Sequence, residues 1–359
     1  MITTLTFLFI LGLLIIVHEL GHFIIARRLG VGVEKFSIGF GPPLLRNKKR
    51  ETEYCISAIP LGGFVKLSGD NLEDYKGRHY EYYSKPPGKR FWIIFSGSLL
   101  NYILGFIFFW LINFVGYPTS TTKVGGLLDG FGAKEAGIQI NDKIIAVEGQ
   151  KVNSWEELQK IIQSKKEPSK VRLTLLRNNR EVLAGVAIKE KEFVDALGKA
   201  RKIGLLGITP SDETVKVSYG LGKSFILGID KTVNLTIMTY NGLGRILTGK
   251  LSMREAVTGP LGIFYITSKA ARLGIIAILH LIAVLSVSLA IFNLLPLPVL
   301  DGGHILFLAL EKLRGKTLSA KTERIINQAG LTLIIFLALF VTYNDILRFF
   351  GDRISKLFK

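Results

Sequence analysis

Four runs of apolar residues, each long enough to cross a bilayer as a helix, constrain this chain more than any other feature. About 20 helical residues span the hydrocarbon core, and the runs cover 2–26, 91–115, 275–297 and 329–349. Hydrophobic residues make up 48% of the 359 positions, yet 21% are charged, so apolar spans must alternate with charged loops. The first run has no basic residues before it and no small-residue cleavage pattern after it. It also carries His18, Glu19 and His22, so it is expected to be a retained span rather than a signal peptide. Between Ser211 and Arg272 the pattern is mixed, with Lys and Arg among the apolar positions. Amphipathic helices on or near the membrane surface are expected there.

The formal net charge is +18, but the basic residues recur beside the apolar runs: Arg27 and Arg28, 46–50, Lys85 to Arg90, and Lys312 to Arg324. An anionic lipid surface accounts for that placement better than nucleic acid, so a bilayer and no nucleic acid are the expected partners. The basic loops 27–90 and 311–324 should face the cytoplasm, which leaves 117–272 outside. Lys356 and Lys359, in the outer tail, run mildly against that orientation. One cysteine, Cys55, excludes an internal disulfide framework and a multi-cysteine metal site.

The chain divides into an N-terminal membrane part (1–117), an external domain (118–210), a membrane-surface segment (211–272) and a C-terminal membrane part (273–359). In the external domain, Ser154 followed by Glu157 predicts a capping box ahead of a helix with Leu158, Ile161 and Ile162 on its core side. Val171–Leu176 and Val182–Ile188 flank Asn178-Asn179 and predict a hairpin. Gly132-Ala133-Lys134-Glu135-Ala136-Gly137-Ile138, then Asn141 to Ile145 and Glu148-Gly149, resembles a circularly permuted bacterial PDZ domain (α+β) of roughly ninety residues. Such a domain binds extended chains by adding a strand to a sheet edge, for which 204–208 is the candidate. A domain that only filters access is the other reading.

The first span contains His18-Glu19-Leu20-Gly21-His22, an H-E-x-x-H pattern. Positions four apart share a helix face, so both imidazoles can reach one metal ion. Glu19 lies about 100° around the helix and is placed to take a proton from a metal-activated water. Ionisable residues within a span are costly to bury and point to function; a structural polar cluster or an ion path is the bland alternative. A catalytic zinc needs a third protein ligand. Asp301, after a span broken by Pro296 and Pro298 and before Gly302-Gly303, is the leading candidate. His304 stands beside it as an alternative, His79 and His280 are the remaining histidines, and an ordinary helix-to-loop junction would leave Asp301 with no such role.

H-E-L-G-H in the first span with Asn293-Leu294-Leu295-Pro296-Leu297-Pro298-Val299-Leu300-Asp301-Gly302-Gly303-His304 in a late one resembles the site-2 protease family, specifically its bacterial RseP-type members, here with a single PDZ domain. The resemblance implies an intramembrane zinc metalloendopeptidase in the bacterial inner membrane. Zn²⁺ would be held by His18, His22 and Asp301, with Glu19 as catalytic base and Asn293 binding the substrate backbone. It implies cleavage of single-span proteins in regulated intramembrane proteolysis, with anti-sigma factors or remnant signal peptides as targets and the active site near the cytoplasmic side.

Further motifs extend the likeness. The segments 36–42 and 54–66 have the alternation and glycine punctuation of short strands, and resemble a re-entrant β-hairpin region on the cytoplasmic side. A strand edge could supply backbone partners to an unwinding substrate. Phe95 to Tyr102 resembles the family's F-x-G-P-x-x-N pattern, with Ser98 where proline is usual, a departure expected to concern helix entry rather than chemistry. Gly259-Pro260-Leu261-Gly262-Ile263 reads as a turn steering the chain back to the membrane. The expected fold is a polytopic α-helical membrane protein of about four transmembrane helices with that hairpin region and one extracytoplasmic PDZ domain. A degenerate scaffold and a metal or proton transporter are the competing functions; the intact His18, Glu19, His22 and Asp301 set opposes the first. The lack of an internal repeat opposes the second.

Overall fold

The computed structural model describes residues 2–165, 168–194 and 200–357, and the chain divides into two compact units. One comprises Met1–Leu111, Ile226–Gly244 and Ser252–Lys359; the other comprises Ile112–Phe225 and Arg245–Leu251. The first unit opens with α1 (Ile2–Arg28), followed by β1 (Val33–Lys49), β2 (Thr52–Leu67) and α2 (Pro87–Val115), which runs on past the unit's boundary at Leu111. The strands are longer than the two expected segments, and each is used twice. Residues 35–38 pair with 53–56 on one side and with 63–66 on the other, while 45–49 pair with 52–56. Register shifts and left-handed glycines at Gly39 (φ 90°) and Gly62 (φ 129°) let the strands bend back to make this sheet.

The second unit holds β3 (Tyr117–Ser120), β4 (Val124–Leu127), α3 (Gly132–Glu135), β5 (Lys143–Val147), β6 (Gln150–Lys151), α4 (Trp155–Gln163), β7 (Ser169–Arg177), β8 (Arg180–Val194), β9 (Ala200–Leu205), β10 (Ile208–Pro210) and β11 (Thr214–Val217). Five strands form an antiparallel sheet in the order β6-β5-β7-β8-β9, and β10 pairs with β4. Alternation along β7 buries Val171, Leu173 and Leu175 under Leu158 and Ile162 of α4, as the period-two pattern requires. Ser154 Oγ accepts the Glu157 N–H at 3.3 Å; the glutamate answers to the N–H of Asn153 rather than that of Ser154. The turn residues Asn178 and Asn179 both have positive φ, as a primed hairpin turn demands. Strand β11 pairs with β3, so the strand pairing of this unit continues past Pro210, the end expected from the sequence. Residues 214–217 are strand, not surface helix.

After the strands come α5 (Leu221–Leu247), α6 (Met253–Ala256), α7 (Pro260–Leu273), α8 (Ile275–Asn293), α9 (Asp301–Arg314) and α10 (Ala320–Leu357). Among the described residues, four helices are long and apolar enough to cross a membrane: Ile2–Arg28, Pro87–Val115, Ile275–Asn293 and Ala320–Phe349. These are the four spans read from the sequence. The third stops at Asn293 rather than 297, because Pro296 and Pro298 disfavour helix in the residues before them. The sides of α1 and α10 that no other element covers carry Leu5, Phe9, Phe336 and Leu339, all more than 60% exposed, which suits contact with lipid.

Gly259 to Gly262 is not a bare turn but the capped start of α7. Asp345 of α10 is buried and its carboxylate accepts the N–H of Gly262 (2.8 Å) and of Gly259 (3.2 Å). Helix starts leave N–H groups unpaired, and a carboxylate there also meets the positive end of the helix dipole. A Cβ on Gly259 would stand 2.7 Å from Asp345 Oδ2, so glycine is what lets the two helices approach. Asp345→Ala should strand both amides and lower stability by about 1–3 kcal/mol. Thermal unfolding in detergent and faster amide exchange at the start of α7 would register this loss.

In the second unit, Asp142 receives two hydrogen bonds from Arg177 (2.8 and 2.7 Å) and one from the Gln139 N–H (2.8 Å). The guanidinium, aided by that amide, holds the carboxyl below its ordinary value despite burial. A carboxyl with a depressed folded value stabilises the fold above its unfolded pKa of about 4, and that contribution is lost as pH falls through the folded value. Amide protection of the five-stranded sheet should therefore decline below about pH 4, and Asp142→Asn should remove that part of the pH dependence.

Candidate metal centre

His18 and His22 lie one turn apart on α1, with their Nε2 atoms 3.2 Å from each other. They lean on α2, which comes within backbone contact of α1. A Cβ on Gly21 would be 2.3 Å from the Ser96 carbonyl oxygen, and one on Gly97 would be 2.3 Å from His22 Nε2. These two glycines, one per helix, make the space in which the imidazoles sit. His22 Nδ1–H donates to the Ile93 carbonyl at 2.8 Å, which fixes the tautomer and leaves Nε2 with a free lone pair.

Asp301 reaches the same place from α9. The chain between α8 and α9 carries two prolines and Val299 at φ 74°, and delivers Asp301 to the first turn of the new helix. Its Oδ2 lies 3.5 Å from His18 Nε2 and its Oδ1 3.6 Å from His22 Nε2. One donor atom from each of the three side chains falls within 4.8 Å of the others. Ligands about 2.0–2.1 Å from a tetrahedral ion are spaced about 3.3–3.4 Å apart; the two Nε2 atoms are 3.2 Å apart, and each has a different Asp301 oxygen beside it, too far for a good hydrogen bond. All three side chains are at most 15% exposed.

The other expected residues stand around this group. Glu19 faces β2; a Cβ on Gly63 would be 3.4 Å from its Cγ. Asn293 ends α8, and its Nδ2 is 3.5 Å from both ring nitrogens of His18, over the imidazole rather than in a tight bond with it. His304 is not among the three converging donors. It lines a cavity of about 240 Å³ beside His22, with Asp70, Tyr83, Arg90 and Glu311. His280 packs edge-on against Phe109, and His79 is exposed beside Tyr80.

Ser98 departs from the expectation. It lies well inside α2 rather than at its entry, is fully buried, and its hydroxyl donates to Asp301 Oδ2 at 2.9 Å. Nearer the start of α2, Arg90 is buried and pairs with Glu311 of α9, so the two helices are joined at both ends of their contact. Neither partner could be found from spacing, because each bond joins residues more than 200 positions apart.

The profile of peptidase family M50 matches residues 6–337. The chain belongs to peptidase family M50. It is 30% identical to the zinc metalloprotease RasP of Geobacillus kaustophilus, over 96% of this chain and 98% of that protein. A protein of Fusobacterium nucleatum assigned as a zinc metalloprotease is 32% identical, over 95% of this chain and 97% of its own length. The PDZ domain of an SdrC-like protein from Listeria innocua matches 26% of this chain and 96% of its own length at 20% identity. Its TM-score is 0.21, too low to bear on the fold. As an M50 member of RseP type, the chain is a zinc metalloprotease, and its four long apolar helices make it a multi-pass membrane protein.

The M50 chain should not tolerate a side chain at position 97. Gly97→Ala would press a methyl group onto both imidazoles, since the added carbon would be 2.3 Å from His22 Nε2 and 2.9 Å from His18 Cε1. Helix content by circular dichroism should persist while zinc affinity falls by about tenfold or more. Unchanged zinc content would mean that the imidazoles do not rest on α2.

Proposed function

We propose that this protease cuts single-span membrane proteins within or near their transmembrane segment, using His18, His22 and Asp301 to hold zinc, Glu19 as general base and Asn293 to bind the substrate backbone. The observation that carries the reading is the convergence of three ligand-type side chains, two from a helix long and apolar enough to span a membrane and one from α9, with donor atoms within 4.8 Å of one another. Held by these residues, zinc would supply Lewis acidity, which lowers the pKa of a water toward about 7. The rest is done by the chain. Glu19 takes the proton of the attacking water and returns it to the departing amine nitrogen. The Asn293 amide, beside His18, is placed to donate to the carbonyl oxygen as negative charge develops on it.

A substrate helix hides its peptide bonds, so it must unwind first. Residues 63–67 pair with β1 on one side, and Glu19 stands next to them; their other edge is the strand against which an unwound segment would lie. The cavity beside His22, with Asp70, His304 and Glu311 in its lining, supports access of water to the site. We place the protein in the bacterial inner membrane with the basic loops and the strands β1 and β2 on the cytoplasmic side, and the second unit outside as a PDZ domain. In that unit an apolar cavity of about 70 Å³ lies between α4 and 204–208, lined by Trp155, Leu158, Ile162 and Ile208. Its lining supports an apolar substrate chain end as ligand, rather than steric filtering alone.

Glu19→Gln should leave zinc bound and reduce cleavage of a single-span test substrate by roughly 10²- to 10⁴-fold. Metal analysis and a cleavage assay on the same purified sample check both halves. Cleavage at the wild-type rate would falsify the assigned role.

A further inference from the structure

We propose that Ser98 is a positioning residue for Asp301, holding one oxygen of the carboxylate so that the other is presented to the metal. The proposal rests on the reading of Asp301 as a ligand. Ser98 is fully buried, and its hydroxyl donates to Oδ2 at 2.9 Å. Among the described residues no other hydrogen bond reaches the Asp301 carboxylate, and Oδ1 faces the lone pair of His22 Nε2 at 3.6 Å. A carboxylate on a single helix turn can swing about its side-chain torsions and offer one oxygen or both. A hydroxyl from a second helix removes that freedom. It fixes the carboxylate plane and engages a lone pair of Oδ2, leaving Oδ1 as the available ligand atom.

Serine suits this place inside α2. Proline there would offer no side-chain donor and would also remove a helical N–H bond. Serine keeps the ladder intact and adds the donor. Its surroundings support the geometry. Gly97 lets the imidazoles lie on α2, the Ile93 carbonyl orients His22, and the Arg90–Glu311 pair ties α2 to α9, so the Ser98–Asp301 distance is set by helices held at a second point. Partners that orient metal ligands are typically worth about 10- to 100-fold in affinity.

The test is zinc affinity, by chelator competition on the full-length protein in detergent, for wild type, Ser98→Ala, Asp301→Ala and the double variant. We expect Ser98→Ala to bind zinc about 10- to 100-fold more weakly, Asp301→Ala to bind more weakly still, and the double variant to match Asp301→Ala. A cobalt-substituted sample gives a second readout. The d–d spectrum of wild type should be that of a four-coordinate ion, and Ser98→Ala should shift it toward higher coordination as the freed carboxylate swings to offer both oxygens. If Asp301→Ala loses affinity while Ser98→Ala retains it, the ligand assignment stands and the positioning role is overturned. The same holds if Ser98→Ala lowers affinity by an equal factor with and without Asp301, since the serine would then act through the fold. Wild-type affinity in Asp301→Ala would instead remove the ligand reading, and this proposal with it.

Discussion

Hydrocarbon offers no partner to a polar group, and nearly every feature of the membrane helices follows from that. Hydroxyls along these helices fold back on their own backbone: Thr6 of α1 and Thr332 and Thr342 of α10 each donate to the carbonyl four residues earlier. Ser286 reaches across to the Asn101 carbonyl at 2.7 Å. Asp345 is buried where it caps α7, and Arg90 where it meets Glu311, the Lys85 carbonyl and the rings of Tyr82 and Tyr83. Two imidazoles and a carboxylate gathered in such surroundings satisfy one another poorly at 3.5 and 3.6 Å, and a bound cation resolves the problem they pose together. Chemistry and stability thus draw on the same rule.

The second span is the platform on which the centre is assembled, although it supplies none of the proposed ligands. Its backbone approaches α1 at Gly21, its missing side chain at Gly97 accommodates the imidazoles, its Ile93 carbonyl sets a tautomer, and its Ser98 hydroxyl meets the carboxylate. Ligands from α1 and α9 converge because both elements are keyed to α2. Rigid helices hold such geometry better than loops do, which suits a reaction that needs a polar pocket kept in register within an apolar medium.

Much of this architecture is legible in the residues themselves. Apolar run length places four spans, although the fourth helix starts at Ala320 rather than 329; Ser154 marks a helix start, and Asn178-Asn179 marks a hairpin. His18 and His22 pair on one face from spacing alone. Less legible are Ser98, whose substitution for proline reads as a matter of helix entry, and the glycines at 259 and 262, which read as a turn. Each contacts a partner whose identity depends on how distant helices pack. The doubled use of β1 and β2 is hidden for a similar reason, because alternation predicts strands but not how often one strand is paired.

By itself, then, the sequence determined that the chain has helices able to span a membrane and places two histidines on one face of the first of them. A helix repeats every 3.6 residues, so the pairing of His18 with His22 needs no other part of the molecule. The sequence ranked Asp301 ahead of His304, but only the tertiary structure brought it beside the two imidazoles and gave it the buried hydroxyl of Ser98, 203 positions away. Two prolines could signal that the helix breaks after Asn293, but not which of the following side chains would turn back toward α1. That outcome was decided where the backbones of α1 and α2 touch and the polar groups of α9 had to find partners away from water.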